Sequence, residues 1–460
     1  MKHVHLVGIG GAGMSAIARV LHGRGFRVSG SDRALNPITA ALAAEGVTIY
    51  EGHAATHVEG AELVLISSAV QPDNPEVSAA RAAGIEVLKR REALPFVLEG
   101  KTQIAVAGTH GKTTTTALIT HLLREVGRDP SYIVGGVMQN TGNNAHAGTG
   151  DAFVIEADEY DHMFLGLMPT IGVITNIEHD HPDMFPTFDD TLRAFEGFVG
   201  RIPDYDGVLI ACADDSGAMR IAKPRRGRGQ PTLTYGIHSP EANWQASETA
   251  DGLVIQGMEN GELLEVTLQK ALPPALVGAH MRQNMLAALA ACVAYGASLT
   301  AMMPALLSFK GTGRRLEQMG VYRGVPILSD YGHHPTAIRT TLEAVRQLYP
   351  EAAVWAVWQP HTYSRTRTLL GDFAEAFAAA DHALITTIYP SRERYQTGDP
   401  DGNSIEAAVR GTHHPDVRYS GDLAATALLL RRELTVGAVV IIFSAGDAPK
   451  IGEMLLAEGG

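Results

Sequence analysis

Short apolar runs recur along the chain, each followed by a Gly-rich or acidic turn and then by residues with helical apolar spacing. Residues 4–8 read as a buried strand, 8–13 as a turn and 14–23 as a helix. A second strand at 26–30 ends at Ser31-Asp32, and a later one covers 63–67. The apolar run 103–107 leads through a Gly-rich turn into the helical spacing of 117–124. Residues 152–156 and 171–175 are further core strands ending in polar groups, and 325–329, 353–357, 383–388 and 438–443 repeat the pattern. Strands alternating with helices predict an α/β fold of parallel, doubly wound sheets, whose C-terminal strand ends line the ligand crevice. The pattern divides into three blocks, 1–98, 99–315 and 316–460. Within the second, 232–277 is β-rich and predicts a side sheet, and the basic, Pro-bounded stretch 223–231 predicts a solvated loop. Neither a repeat of fixed period nor a low-complexity tract interrupts the blocks.

Length agrees with this division, since 460 residues exceed one typical domain. Composition is that of a globular protein, with 45% hydrophobic and 19% charged residues. The formal charge of −13 argues against nucleic acid or an anionic membrane as partner, so anionic ligands must be met by local basic groups. Two cysteines in unrelated contexts suggest neither a metal site nor a disulfide framework. The chain enters its first strand directly, without the apolar region of a signal peptide, and no run approaches the ~20 residues of a membrane helix. A cytoplasmic protein is expected.

The chemistry gathers in the turns. Gly-Thr-His-Gly-Lys-Thr-Thr (108–114) lies between a strand and a helix. That is the layout of a phosphate-binding loop, in which backbone N–H groups face an anion, Lys112 supplies a point charge and a Thr hydroxyl can reach Mg²⁺. Val106 stands where the general pattern has its first Gly. A protein that handles a nucleoside triphosphate is expected. Gly8, Gly10 and Gly13 fit a dinucleotide fingerprint with Asp32 about 20 residues on, which suits either a dinucleotide or a UDP-sugar. Acids follow two core strands, in Glu-Ala-Asp-Glu-Tyr-Asp (156–161) and Asn-Ile-Glu-His-Asp-His-Pro-Asp (176–183), and hard Mg²⁺ takes carboxylate and phosphate oxygens.

These motifs resemble the Mur ligases, the ATP-dependent amide-forming enzymes of peptidoglycan synthesis. The likeness extends over nearly the whole chain. It includes the ATP loop, Gly-Gly-Ala-Gly-Met-Ser (10–15), Gly-Ser-Asp (30–32), Gly-Ala-His-Met-Arg-Gln-Asn (278–284), Arg-Arg-Leu-Glu (314–317), Asp-Tyr-Gly-His-His-Pro (330–335), Gln-Pro-His-Thr-Tyr-Ser-Arg-Thr (359–366) and Ile-Tyr-Pro-Ser-Arg-Glu (388–393). The resemblance implies three domains: an N-terminal Rossmann-like UDP-binding domain, a central P-loop ATPase-like domain and a C-terminal Rossmann-like domain that binds the amino acid. It implies that Gly10, Gly11, Gly13, Met14, Ser15, Ser31, Asp32 and Ser68 bind the UDP-sugar. ATP falls to Gly108, Thr109, His110, Gly111, Lys112, Thr113, Thr114, Asn284, Arg315 and Asp330, and metal to Thr113, Glu156 and His181. His361 and Arg365 would bind the amino-acid carboxylate, and His333 and His334 would lie near the reacting groups. Lys112, Glu156, His181, His333 and Arg365 are the catalytic candidates. Met281 and Thr362 depart from the family, which has Asn and Arg there.

Members that use a carbamylated lysine carry it in an interval where this chain has no lysine between Lys112 and Lys223. The resemblance therefore points to the ligation of L-alanine to UDP-N-acetylmuramate with ATP and Mg²⁺. Ligation of a recycled tripeptide is the alternative within the family. A UDP-sugar-sensing NTPase and a dehydrogenase are alternatives outside it.

Overall fold

The computed structural model describes residues 2–457 and contains three open sheets distributed over two compact units. One unit comprises 1–177, 192–268 and 286–306; the other comprises 178–191, 269–285 and 307–460.

The first sheet is wholly parallel, in the order Thr48–Glu51, Arg27–Asp32, His3–Val7, Leu63–Ile66, Glu86–Lys89. Its centre is apolar where the pattern predicts, with Val4, Leu6, Val64 and Leu65 fully buried. The helix Ala12–Gly23 follows the first strand and buries Ile17, Val20 and Leu21.

The second sheet, in the same unit, has ten strands. Around Thr102–Ala107 lie Ile171–Ile174 on one side and Ala152–Glu156 on the other, both parallel to it. Beyond Ile171–Ile174 the sheet continues through Val208–Cys212 and Thr232–Gly236 to Trp244–Thr249, Gly252–Glu259 and Glu262–Leu268. The predicted side sheet at 232–277 is thus an extension of the central one. Thr232–Gly236 pairs in parallel with Val208–Cys212 and with the start of Trp244–Thr249, and the last two junctions at this edge are antiparallel.

The predicted solvated loop at 223–231 is a second correction. Residues 223–227 close the helix Ser216–Gly227. Arg225, 2% exposed, donates to the carbonyls of Pro203 (2.7 Å), Gly207 (3.3 Å) and Ile202 (3.4 Å). The buried guanidinium thus supplies charge-assisted donors to three backbone carbonyls.

The second unit holds the third sheet, in the order Glu317–Tyr322, Val325–Asp330, Ala438–Phe443, Ala353–Trp358, His382–Thr386, Val417–Gly421. All its pairs are parallel except the hairpin at the first edge. Val439, Val440, Ile441, Ile442 and Phe443 are fully buried, as a strand covered by helices on both faces requires. Among the described residues no helix is long and apolar enough to cross a membrane.

Candidate active site

The strand Thr102–Ala107 ends at Gly108, and the helix Lys112–Glu125 begins after Gly111. Gly111 has φ +80°, a left-handed conformation that glycine adopts without penalty, and the helix has no side-chain cap. The loop is pinned from the next strand end: Asn176 accepts the His110 N–H (2.8 Å) with its side chain and the Thr109 N–H (2.9 Å) with its carbonyl. An uncapped helix start at the C-terminal edge of a parallel sheet favours an anion.

Lys112 Nζ donates to the carbonyls of Gly108 (2.5 Å) and Thr109 (3.3 Å) and pairs with Glu159 at 2.9 Å. Burial alone would lower the lysine pKa, but Glu159, Asp158 and Glu156 outweigh it and hold the ammonium charged. Burial, with Asp158 close by, pushes Glu159 up to about 7 despite the lysine. Thr113 Oγ1 donates to Glu156 Oε1 at 3.1 Å, while Glu156 Oε2 accepts the Gly135 N–H at 2.7 Å. A hydroxyl beside a carboxylate at the loop is a hard-oxygen pair suited to Mg²⁺.

In the first sheet the turn after His3–Val7 is held by the neighbouring strand. The Ser31 carbonyl accepts from Gly8 (2.8 Å) and Ile9 (3.0 Å), and Asp32 Oδ2 accepts from Gly10 (2.8 Å). Gly11 provides no side-chain cap for the helix Ala12–Gly23, and its first turn carries no acid. Gly10, Gly11, Gly13 and Met14 thus lie together at a helix start. Two hydroxyls among the expected UDP-sugar ligands are turned inward: Ser15 Oγ donates to the Ala12 carbonyl (3.0 Å) and Ser31 Oγ to Glu76 (2.6 Å). Ser68 Oγ donates to Asp161 at 2.7 Å.

The second unit gathers another cluster. Arg365, 5% exposed, donates through Nε to Asp180 Oδ1 at 2.9 Å, and its Nη1 lies 3.1 Å from His361 Nδ1. His181 and His333 each place Nε2 3.7 Å from Asp180 Oδ2. Asp180 is buried, yet the Arg365 guanidinium holds its carboxyl well below the usual range. Burial and Arg365 together press His333 down to about 3 and His361 to about 4, so both rings are neutral near pH 7. The Tyr331 carbonyl, 3.0 Å from His333 Nδ1, can only accept, so Nδ1 carries the proton and Nε2 a lone pair. His334 has a different place, capping the helix Pro335–Leu348 and lying 3.4 Å from Glu178.

The remaining expected residues are buttressed by the protein. Asp330 accepts the N–H groups of Gly332 (2.7 Å) and Leu316 (2.9 Å). Arg315 lies over the Tyr331 ring at 4.9 Å, and Arg314 does the same while donating to the Gly446 carbonyl. Asn284 is buried, with Nδ2 3.8 Å from the Met281 sulfur. Thr362 has φ +64° and ψ 149°, a region nearly confined to glycine, and begins the short helix that carries Arg365.

Glu159, Asp180 and Arg90 were not singled out as site residues in the sequence, although each stands in or beside these clusters. The first two occur inside quoted acidic motifs; nothing local distinguishes Arg90 from a surface arginine.

Three family descriptions match in tandem: "Mur ligase family, catalytic domain" over 3–102, "Mur ligase middle domain" over 106–292 and "Mur ligase, glutamate ligase domain" over 314–446. The chain belongs to the Mur ligase family. Among Mur ligases, it is 40% identical to the UDP-N-acetylmuramate–L-alanine ligase of Renibacterium salmoninarum, covering 99% of this chain and 96% of that one. It is also 40% identical to the enzyme of the same name from Rubrobacter xylanophilus, with 99% of both covered. Among solved structures, the UDP-N-acetylmuramate–alanine ligase of Thermotoga maritima superposes with a TM-score of 0.77 at 26% identity, over 100% of this chain and 99% of that one. A murein peptide ligase from Psychrobacter arcticus gives 0.69, also at 26% identity, over 99% and 98%.

Proposed function

We propose that this Mur ligase joins L-alanine to the lactyl carboxylate of UDP-N-acetylmuramate, with ATP as the energy source, in the cytoplasmic synthesis of peptidoglycan precursors. The observation that carries the reading is the full-length 40% identity to enzymes named for that reaction. The absence of a lysine between Lys112 and Lys223 agrees with it.

In this reading the loop 108–114 binds the ATP phosphates, and Lys112 exchanges Glu159 for the γ-phosphoryl group. A lactyl carboxylate oxygen attacks the γ-phosphorus as its bond to ADP breaks, leaving an acyl phosphate. The amine of L-alanine attacks the acyl carbon, loses a proton, and phosphate departs with the C–O bond electrons. Positioning and electrostatics are the protein's contribution. Thr113 and Glu156 would hold Mg²⁺, and the ion would neutralise phosphate charge. Arg365 presents its guanidinium to the amino-acid carboxylate while Asp180 fixes Nε and His361 accepts from Nη1. His333, neutral with a lone pair on Nε2, can accept a proton near the amine. The C-terminal share of the site would belong to a domain at 316–460, and the UDP share to one at 1–98.

Phosphate release from ATP tests the reading, with UDP-N-acetylmuramate present and L-alanine, glycine, L-serine or L-alanyl-γ-D-glutamyl-diaminopimelate added separately. Release that needs both the UDP-sugar and L-alanine, with the amide seen by mass, is expected. Release with the tripeptide alone would move the chain to the recycling reaction.

A further inference from the structure

Arg90 opens the helix Arg90–Val97, at the end of the edge strand Glu86–Lys89 of the first sheet. Its guanidinium lies directly over Gly13. A Cβ at Gly13 would stand 2.6 Å from Cζ and Nη1 and 3.0 Å from Nε, so the missing side chain there makes room for Arg90. Gly13 belongs to the first turn of Ala12–Gly23, which has neither a side-chain cap nor an acid. A permanent cation is therefore packed against the positive end of a helix.

Among the described residues no hydrogen bond or ion pair relieves this arrangement. Arg90 Nε is buried without a hydrogen-bond partner. Burial presses its pKa down, and the carboxylates of Asp158 and Glu156 oppose that through space without forming an ion pair. A guanidinium keeps its charge at any physiological pH, so it cannot escape the cost by deprotonating. An anion between the helix start and the planar fork would satisfy both at once.

We propose that Arg90 is a ligand of the diphosphate of the UDP-sugar, and that Gly13 is glycine to admit it. The proposal rests on the reading of the turn at 8–13 as the UDP-sugar site. Diphosphate is favoured over the lactyl carboxylate, the other anion of the substrate, because Arg90 packs on the turn itself. A fork contacting two phosphate oxygens would also account for arginine rather than lysine at this place.

Calorimetric binding of UDP, UDP-N-acetylglucosamine and UDP-N-acetylmuramate to the full chain tests it. Arg90→Gln should weaken all three by tenfold or more, and Arg90→Lys by less, while affinity for a non-hydrolysable ATP analogue is unchanged. Wild-type affinity of the variants for UDP and UDP-N-acetylglucosamine would overturn the proposal. If UDP-N-acetylmuramate alone then bound more weakly, Arg90 would be assigned to the lactyl carboxylate instead. If Arg90→Gln does not fold, Arg90→Lys carries the test, and UDP affinity equal to wild type overturns the proposal. Asp32→Ala, which releases the Gly10 N–H, is the control. Weakening by Asp32→Ala but by neither arginine variant defeats the inference alone; weakening by none of the three defeats the reading of the turn as well.

Discussion

At single residues, the charges most relevant to catalysis are already paired inside the protein. In the proposed reaction Lys112 meets a phosphoryl group, yet it is bound to Glu159 at 2.9 Å. Phosphate therefore competes with a carboxylate for the ammonium. Glu159→Gln keeps the shape and removes the competing charge, and a severalfold tighter dissociation constant for a non-hydrolysable ATP analogue is expected by calorimetry. Unchanged or weaker binding would mean that Glu159 organises the loop rather than competing with the ligand. Asp180 acts in the opposite sense on Arg365. Its carboxylate compensates a guanidinium that is 5% exposed, and breaking a buried pair typically costs about 3–5 kcal/mol because one charge is left alone. Asp180→Asn should raise KM for L-alanine at least tenfold with a smaller change in KM for the UDP-sugar, read from initial rates. Equal losses in both would show that Asp180 maintains the fold without a specific role toward the amino acid. Neither pairing was legible locally: Asp180 and Arg365 are 185 residues apart, and only the tertiary fold makes them neighbours.

At the level of elements, apolar runs ending in Gly or acid marked the strand ends well, because a covered parallel strand must be apolar throughout and its ligand turns must not be. Position 223–231 misled for a physical reason. Pro224, three arginines and two glycines read as turn chemistry, but the proline lies late in a helix and Arg225 points inward. Arg225→Ala would strand the carbonyls of Ile202, Pro203 and Gly207. Loss of charge-assisted bonds worth about 1.5–3 kcal/mol each should lower Tm by several degrees with kcat retained at low temperature. A second polar joint ties two strands of the first sheet, His3–Val7 and Arg27–Asp32, to the segments that follow them. Fully buried Glu76 accepts from Ser31 (2.6 Å), with His57 Nδ1 at 2.7 Å, His53 Nδ1 at 3.0 Å and His5 Nε2 at 3.7 Å. Burial alone would raise its pKa, but the histidines and Ser31 outweigh that and hold it at about 2. A carboxyl depressed in the folded state stabilises it above the ordinary carboxylate range. That stability is lost as pH falls from about 4.5 toward about 2. Thermal melts across this window should show a steep fall in Tm for the wild type and a shallower one for Glu76→Gln.

For the whole molecule, a net charge of −13 sets a problem that the fold meets locally. ATP and a UDP-sugar are both anions, and neither can rely on a generally basic surface. Each of two sheets in one unit instead ends its ligand turn at an uncapped helix start, Ala12–Gly23 in the first and Lys112–Glu125 in the second. The backbone supplies the positive field, and one strong cation stands beside each, Arg90 in the first and Lys112 in the second. The two turns were legible in the sequence because glycine spacing is local. Their different cations were not equally so, since Lys112 lies inside its loop whereas Arg90 comes from another strand end. This arrangement predicts that the two anion sites can be disabled separately. Lys112→Ala removes the charge at the second loop without touching the turn at 8–13. It should abolish ATP-dependent phosphate release while leaving the dissociation constant for UDP-N-acetylmuramate within about twofold of wild type. Normal turnover would show that the loop 108–114 is not the phosphoryl-transfer site. Lost turnover together with lost UDP-sugar binding would show that the sheets do not bind independently, and the modular account of the anion sites would fail.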